Sequence, residues 1–527
     1  MINRLLENWL NKASERSYQL PFCYLLLNRG ETVIHLTRHC GMEHGKDIIT
    51  RDSEGNYRAY QLKGVNGGRL SQKQWQDTVQ QQVHSLIHTP IIHPSVDIAK
   101  GHRSFLVING GLEEEVQAAI TAINHKCDLT GKPQDKIHVI LKGDMLDMLR
   151  NIKEDFLPSE VDDFAKLLDF YQQDGRSFLK KADFYTLLNA VLSTDQQNLA
   201  KFSRAVSSCS VLCSLALSSY TLAENHFAIV EGWTLFITSI LRYAEMQGRK
   251  IADVKREIDL AERIISTTLT NLWLEVKDVP LLIEKTGPGD VPTYPYQLTI
   301  ILGLLAYLSV RTPNTIETDI NQQEIELFIS RHIQYSQVWG ESALPFILSI
   351  YWFLKSRDPR VAAELLSLTL MRWGNRDGLG SNFFAEVYLS ADEAVALQQD
   401  WQMDAAALQD HTTIEYTLET VVHLCARNGL KELLIQWWPH ISEQLYRDFE
   451  FTELPDYYLW RSRQGNDVTR IERTGHKWKD LVEQANQVRE QLIPPLLKER
   501  AYFIPLFLMV YPHRVRRNIV IWHDKNI

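Results

Sequence analysis

GMEHGKDIITRDSEGNYRAYQLKG, residues 41–64, is the stretch on which both the fold and the chemistry of this chain turn. Within it Asp47-Ile48-Ile49-Thr50 and Tyr57-Arg58-Ala59-Tyr60-Gln61-Leu62-Lys63 are runs of β-branched, aromatic and alternating residues. Asp52-Ser53-Glu54-Gly55-Asn56 between them carries turn chemistry. That combination predicts a β-hairpin. Alternation along a strand sends Gln61 and Lys63 to one side and turns Leu62 toward a core. Asp47 opens the partner strand, so a carboxylate, an amide oxygen and an ammonium are expected to meet at one end of the sheet. A hard divalent cation such as magnesium takes oxygen ligands and keeps several waters; Asp47, the Gln61 side-chain oxygen and a main-chain carbonyl suit it. Lys63 beside such an ion is placed to orient an attacking water and offset charge on a phosphoryl oxygen.

Upstream, residues 2–15 read as an amphipathic helix with Leu5, Leu6, Trp9 and Leu10 on one side, covering the sheet and able to present Glu7. Residues 20–27 form an apolar run and residues 32–36 alternate, so both are strand candidates. His35 and His39 have no partner at ligand spacing. Downstream, a loop through Gly67, Gly68 and Arg69 leads to a helix capped by Ser71, with Trp75, Val79, Val83 and Leu86 on one face and glutamines elsewhere. Arg69, Gln72 and Lys73 at its start are candidates for nucleic-acid contact, with a solvated surface as the alternative. His84 and His88 lack the acid that accompanies a zinc-binding helix pair. A strand at residues 104–108, a helix at 113–124 opening on three glutamates, a strand at 136–141 and a short helix through Leu149 then follow. Strand and helix in alternation imply parallel pairing and an α/β unit.

The pattern Gly45-x-Asp47-(x)13-Gln61-x-Lys63, with a helix before it and a helix then a strand after it, resembles the PD-(D/E)xK nuclease superfamily, and most closely its Mrr-like restriction endonuclease branch. The resemblance covers roughly the first 150 residues. It implies a restriction-endonuclease-like α/β fold in which Asp47 is the principal metal ligand, Gln61 a weaker second ligand and Lys63 the catalytic lysine. A further acid from the first helix is expected; Glu7 is the candidate, with Glu43 as its rival. The implied cofactor is Mg or Mn, the implied substrate DNA, and the implied setting a bacterial restriction or antiphage defence effector. Gln61 stands where the parent pattern has glutamate, one carboxylate charge fewer at the metal. Two other readings are an RNA-cleaving nuclease and a catalytically inactive nuclease fold that serves as an adaptor or scaffold.

A chain of 527 residues exceeds what one core usually serves. Its hydrophobic fraction of 45%, charged fraction of 23% and net charge of -9 exclude a disordered chain and a protein that coats nucleic acid through bulk charge, though not a local basic cleft. Cys23, Cys40, Cys127, Cys209, Cys213 and Cys425 are scattered, without a CxxC pair, and read as free thiols in a reducing cytoplasm. The acidic and polar N-terminus does not read as a signal peptide. The apolar runs at 298–310 and 501–511 are too short to span a bilayer. From about residue 156 helical patterns follow one another and no strand pattern is evident through residue 454. The organisation expected is therefore a nuclease domain at 1–155, an all-α helical array at 156–455 that senses, oligomerises or binds a partner protein, and a C-terminal region at 456–527. In the last, Arg461, Arg463, Arg470, Arg473, Lys477, Lys479, Arg514, Arg516 and Arg517 are interleaved with Tyr457, Tyr458, Trp460, Trp478 and Trp522. Such interleaving suits a nucleic-acid surface or an ordinary charged exterior.

Overall fold

A computed structural model of the chain describes residues 2–36, 45–65, 68–93, 95–156, 161–192, 199–278, 294–311, 321–374, 417–441, 446–451, 453–460, 466–470 and 477–526. The chain divides into two units, Met1–Ile240 with Ala252–Thr267, and Leu241–Ile251 with Thr268–Ile527.

The first unit is built on the hairpin. Strands β1 (Thr32–Leu36), β2 (Ile48–Arg51) and β3 (Tyr57–Lys63) form an antiparallel meander, with Ile48 opposite Tyr60 and Arg51 opposite Tyr57. Its turn closes as the residue types require: Asp52 Oδ1 accepts from the Glu54 and Asn56 amides at 3.0 and 2.9 Å, and Gly55 takes a φ of +87°. After β4 (Arg69–Leu70) come α3 (Gln72–Gln74), a π-helical turn (Trp75–Val79) and α4 (Gln80–His88), and the chain returns as β5 (Arg103–Ile108) parallel to β3. A second crossover, from β6 (Gly111–Leu112) through α5 (Glu114–Leu129), lays β7 (Ile137–Ile140) parallel to β5. The sheet order is β1-β2-β3-β5-β7, so β3 lies at the centre of a mixed sheet. Trp75, Val79, Val83 and Leu86 pack on one side of it with Ile49, Tyr57, Ala59 and Leu106, the helix face expected from their spacing.

The other side is covered by a helix where a strand was expected. Residues 20–27 lie in α2 (Glu15–Asn28), which follows α1 (Ile2–Lys12) after a bend at Ala13-Ser14. Ser14 is its N-cap and accepts the Ser17 amide at 3.2 Å. Every residue from Ser17 to Leu27 is buried. An apolar run lacking amphipathic contrast suits a helix wrapped on all sides as well as it suits a strand, and only its neighbours decide between them. Those neighbours include α6 (Lys142–Phe156), α9 (Leu199–Ala216) and α10 (Ser218–Leu222), each of which packs against α2. The boundary expected at residue 155 therefore falls inside the first unit. Also in that unit, Lys181 of α8 (Lys181–Leu192) forms a buried ion pair with Glu231 at 2.9 Å.

The second unit is mainly helical, with helices Tyr294–Arg311, Leu344–Lys355, Pro359–Gly374, Leu418–Arg427 and Arg517–Asn526. It also holds a strand pair that the sequence reading did not anticipate, Tyr446–Glu450 antiparallel to Asn466–Arg470. Asp524 anchors the last helix: its buried carboxylate receives Lys355 Nζ at 2.8 Å and Arg427 Nε at 3.2 Å. Four of the five interleaved aromatics are core, while Trp478 is half-buried beside the exposed Lys477 and Lys479. Tyr457, Tyr458, Trp460 and Trp522 are buried, and buried Arg514 donates to the Asp456 and Leu459 carbonyls at 3.2 and 2.9 Å. Rings sealed in this way offer no face to a base, so these four residues form no stacking surface; Arg461, Arg463 and Arg473 lie outside the described residues.

Among the described residues one helix, His226–Met246, is long and apolar enough to cross a membrane by length and composition, and 89% of its most apolar window is buried inside the protein. Cys23, Cys209, Cys213 and Cys425 are buried free thiols and Cys127 is a half-buried one, while Cys40 lies outside the described residues.

Candidate functional site

Three groups of the motif arrive from two neighbouring strands. The Asp47 amide donates to Tyr60 O at 2.8 Å, continuing the β2–β3 ladder one residue past the strand. Asp47 Oδ2 then accepts from Gln61 Nε2 and from the Leu62 amide, each at 2.6 Å. Carboxylate and side-chain amide thus meet at the end of the sheet, as the alternation predicts. Lys63 follows two residues later at the last position of β3, half-buried.

The opposite end of the Gln61 amide is unsatisfied: Oε1 is buried and has no hydrogen-bond partner. It lies 3.1 Å from the point a Cβ on Gly45 would occupy, and the Gln82 main-chain oxygen lies 2.7 Å from the same point. Gly45 has a φ of +76°, so glycine is required both by its backbone and by its closeness to α4. A buried acceptor without a donor costs roughly 1–3 kcal/mol, and a cation removes that cost. Turning the amide about its last torsion exchanges nitrogen for oxygen beside Asp47 with little change of shape. The turned amide is favourable only when positive charge sits between the two oxygens. The donor set therefore fits a hard divalent cation held by Asp47 and the Gln61 oxygen. Among the described residues no three His, Cys, Asp or Glu side chains come together as a ligand group.

Helix α2 forms the wall of the site. Glu15, Tyr18, Gln19 and Phe22 recur at i, i+3, i+4 and i+7, which is one helix face. Glu15 Oε1 lies 3.4 Å from Lys63 Nζ and accepts the Gly64 amide at 3.0 Å. The Tyr18 hydroxyl donates to Lys63 O at 3.0 Å, and Gln19 Nε2 to Asp47 O at 3.4 Å. Burial, and after it the charges of Glu15 and Asp47, push the Tyr18 hydroxyl pKa well up, which keeps it a donor.

The acid beside Lys63 is thus Glu15 and not Glu7. Glu7 is exposed on α1 and pairs with Lys142 Nζ at 3.4 Å. Glu43 lies outside the described residues. Arg69, Gln72 and Lys73 are all exposed at the far end of the loop that leaves Lys63, with the Gln72 amide bound to Glu113 Oε2 at 2.8 Å. Asn109 is a further residue the sequence reading passed over. Fully buried, it donates to Leu10 O and Ala13 O at 2.9 and 2.8 Å and accepts the Val65 amide at 2.8 Å. One side chain thereby fixes the α1–α2 bend against the loop after Lys63. A polar residue ending an otherwise apolar strand was the signal for it. His84 and His88 meet edge to face, centroids 4.5 Å apart, on the exposed side of α4.

No protein-family model, no curated protein and no solved structure matches the chain.

Proposed function

We propose that the first unit is a metal-dependent nuclease, a Mg- or Mn-requiring enzyme that hydrolyses DNA phosphodiester bonds at Asp47, Gln61 and Lys63. The observation that carries this reading is the junction of the Asp47 carboxylate with the Gln61 amide, whose oxygen is buried and lacks a donor. The order α2, three antiparallel strands, α4 and a parallel strand is that of the resemblance to the PD-(D/E)xK nucleases, and it supports the same reading.

A divalent ion supplies Lewis acidity and charge neutralisation at the scissile phosphate. Asp47 and Gln61 Oε1 would hold it. Lys63 donates to the attacking water and to the phosphoryl oxygen on which charge develops. Glu15 holds the Lys63 side chain in position, while Tyr18 and Gln19 fix the main chain on either side of the site. The packing of α2 against α9 and α10 gives the appended helices a hold on Glu15 and is the basis for a regulated effector, as in restriction or antiphage defence. Arg16, next to Glu15, pairs with Glu224, the one non-glycine residue with positive φ (55°) among the described residues.

The test is incubation of the purified chain with supercoiled DNA, and separately with labelled RNA, in Mg, Mn or EDTA. Cutting of DNA that needs the metal and is lost in Asp47→Ala and in Lys63→Ala is the expected result. Cutting that survives either substitution overturns the site, and preferential cutting of RNA overturns the substrate.

A further inference from the structure

On the α2 side of the sheet, away from Lys63, three rings form a ladder across three neighbouring strands. Tyr60 on β3, Phe105 on β5 and His138 on β7 are register partners. Their ring centroids are 4.8 and 5.0 Å apart, with interplanar angles of 23° and 26°. Exposure rises along the ladder: Tyr60 is buried, Phe105 half-buried and His138 exposed. Since β7 is the last strand of the sheet, the outer face of the His138 ring ends the stack.

The charges that act on that ring are cationic, from Arg103, Lys136 and Arg58. Arg58 is already held by Glu31 and Asp52 and Lys136 by Asp128 at 2.7 Å, whereas Arg103 is exposed beside the ladder. A free sheet edge could also take up another strand, but here the edge is capped at its start: Asn124 Nδ2 donates to Ile137 O at 2.9 Å and Asn124 Oδ1 accepts the Ile137 amide at 2.8 Å, which consumes that residue's outward groups.

From this geometry we infer that the open end of the Tyr60–Phe105–His138 ladder is a stacking site for an unpaired base of single-stranded nucleic acid, with Arg103 meeting a flanking phosphate. Any base has a π-face that extends such a stack, and a paired base within a duplex does not present it. The site lies apart from Asp47 and Lys63 and does not depend on their proposed role.

The experiment measures binding in EDTA, where metal-dependent cleavage cannot contribute. A short fluorescein-labelled oligothymidylate is titrated with the full-length chain and with His138→Ala, His138→Trp and Arg103→Ala; both positions are exposed, so melting temperatures should be unchanged. His138→Ala should weaken binding roughly tenfold and His138→Trp should restore it. Arg103→Ala should weaken it a few-fold and lower the salt slope by about one. An oligonucleotide carrying 5-iodouracil should crosslink to the peptide that holds His138. The inference is overturned if His138→Ala binds as tightly as the parent chain, if the matched duplex or thymidine monophosphate binds as well as the oligomer, or if the crosslink maps only near Lys63.

Discussion

At the Arg58 end of β3, the buried Glu31 carboxylate receives Thr50 Oγ1 at 2.5 Å and Tyr60 OH at 2.7 Å on one oxygen, and Arg58 Nη1 at 2.7 Å on the other. At the Lys63 end, Asp47 receives two amides on one oxygen, and the side chain that supplies one of them keeps a buried oxygen with no donor. The same central strand thus carries at one end a carboxylate satisfied on both oxygens, with only Arg58 Nε left over, and at the other a buried acceptor left open. A closed network staples β1, β2 and β3 together, and its design is spent on stability. An open acceptor is a standing cost that a bound cation relieves, which is why the two ends should respond oppositely to substitution.

The largest effect expected is on catalysis at the open end. Lys63→Ala removes the ammonium proposed to meet the scissile phosphate and should lower DNA cleavage by roughly 10²–10³-fold, with a melting temperature close to that of the parent chain. Equal cleavage rates in the two proteins would reduce the Lys63 end to another structural network. At the closed end Glu31→Ala should do the reverse. It strands Thr50 and Tyr60 and breaks a buried charge pair, at about 3 kcal/mol in urea unfolding, while the metal requirement of any residual cleavage stays the same.

Gln61→Glu sharpens the comparison in an intermediate range. A second carboxylate beside Asp47 supplies the charge missing from the parent pattern, so cation affinity should rise about tenfold. Without metal, two like charges within hydrogen-bond distance should lower stability by on the order of 1–2 kcal/mol. Thermal unfolding with Ca, Mg, Mn or EDTA reads both effects without any need for activity. A variant no more responsive to cations than the parent chain would remove Gln61 from the ligand set.

How legible this was in the sequence depends on where each residue's surroundings come from. Asp47 and Gln61 meet, with Lys63 two residues on at the end of the same strand, because a tight hairpin and strict alternation fix their relation locally, and both are written in residues 47–63. Glu15 was hidden because the face Glu15-Tyr18-Gln19-Phe22 becomes visible only once residues 15–28 are known to be helical. That depends on α9 and α10, far along the chain, burying the other side of α2. Ser14 followed by Glu15 was a usable start signal, outweighed by the apolar run. The burial of Tyr457, Tyr458, Trp460 and Trp522 was hidden for the converse reason: basic and aromatic residues interleave alike on a surface and in a core whose arginines cap carbonyls, as Arg514 does.

Lys46 gives the smallest expected effect and the cleanest control, because it adjoins Asp47 in sequence while its side chain leaves the site. It is buried and donates to Ser85 O at 3.3 Å on α4, and burial pulls its amine from 10.5 down to about 8. The unfolded chain keeps this proton up to the higher value and the folded chain releases it near the lower one. Between them the unfolded state binds more protons, so this residue's contribution makes stability rise with pH across that window; below it, the full cost of burying the charge is felt. Lys46→Met removes both the cost and the slope. It should stabilise the chain at neutral pH by on the order of 1–3 kcal/mol, and its advantage should shrink as pH climbs from about 8 toward 10.5. Urea unfolding of both proteins across that range checks it: parallel stability curves would mean that the amine reaches water in the folded state. Cleavage should be unaffected by the substitution, which separates a lysine that burial merely tolerates from Lys63, on which the chemistry is proposed to rest.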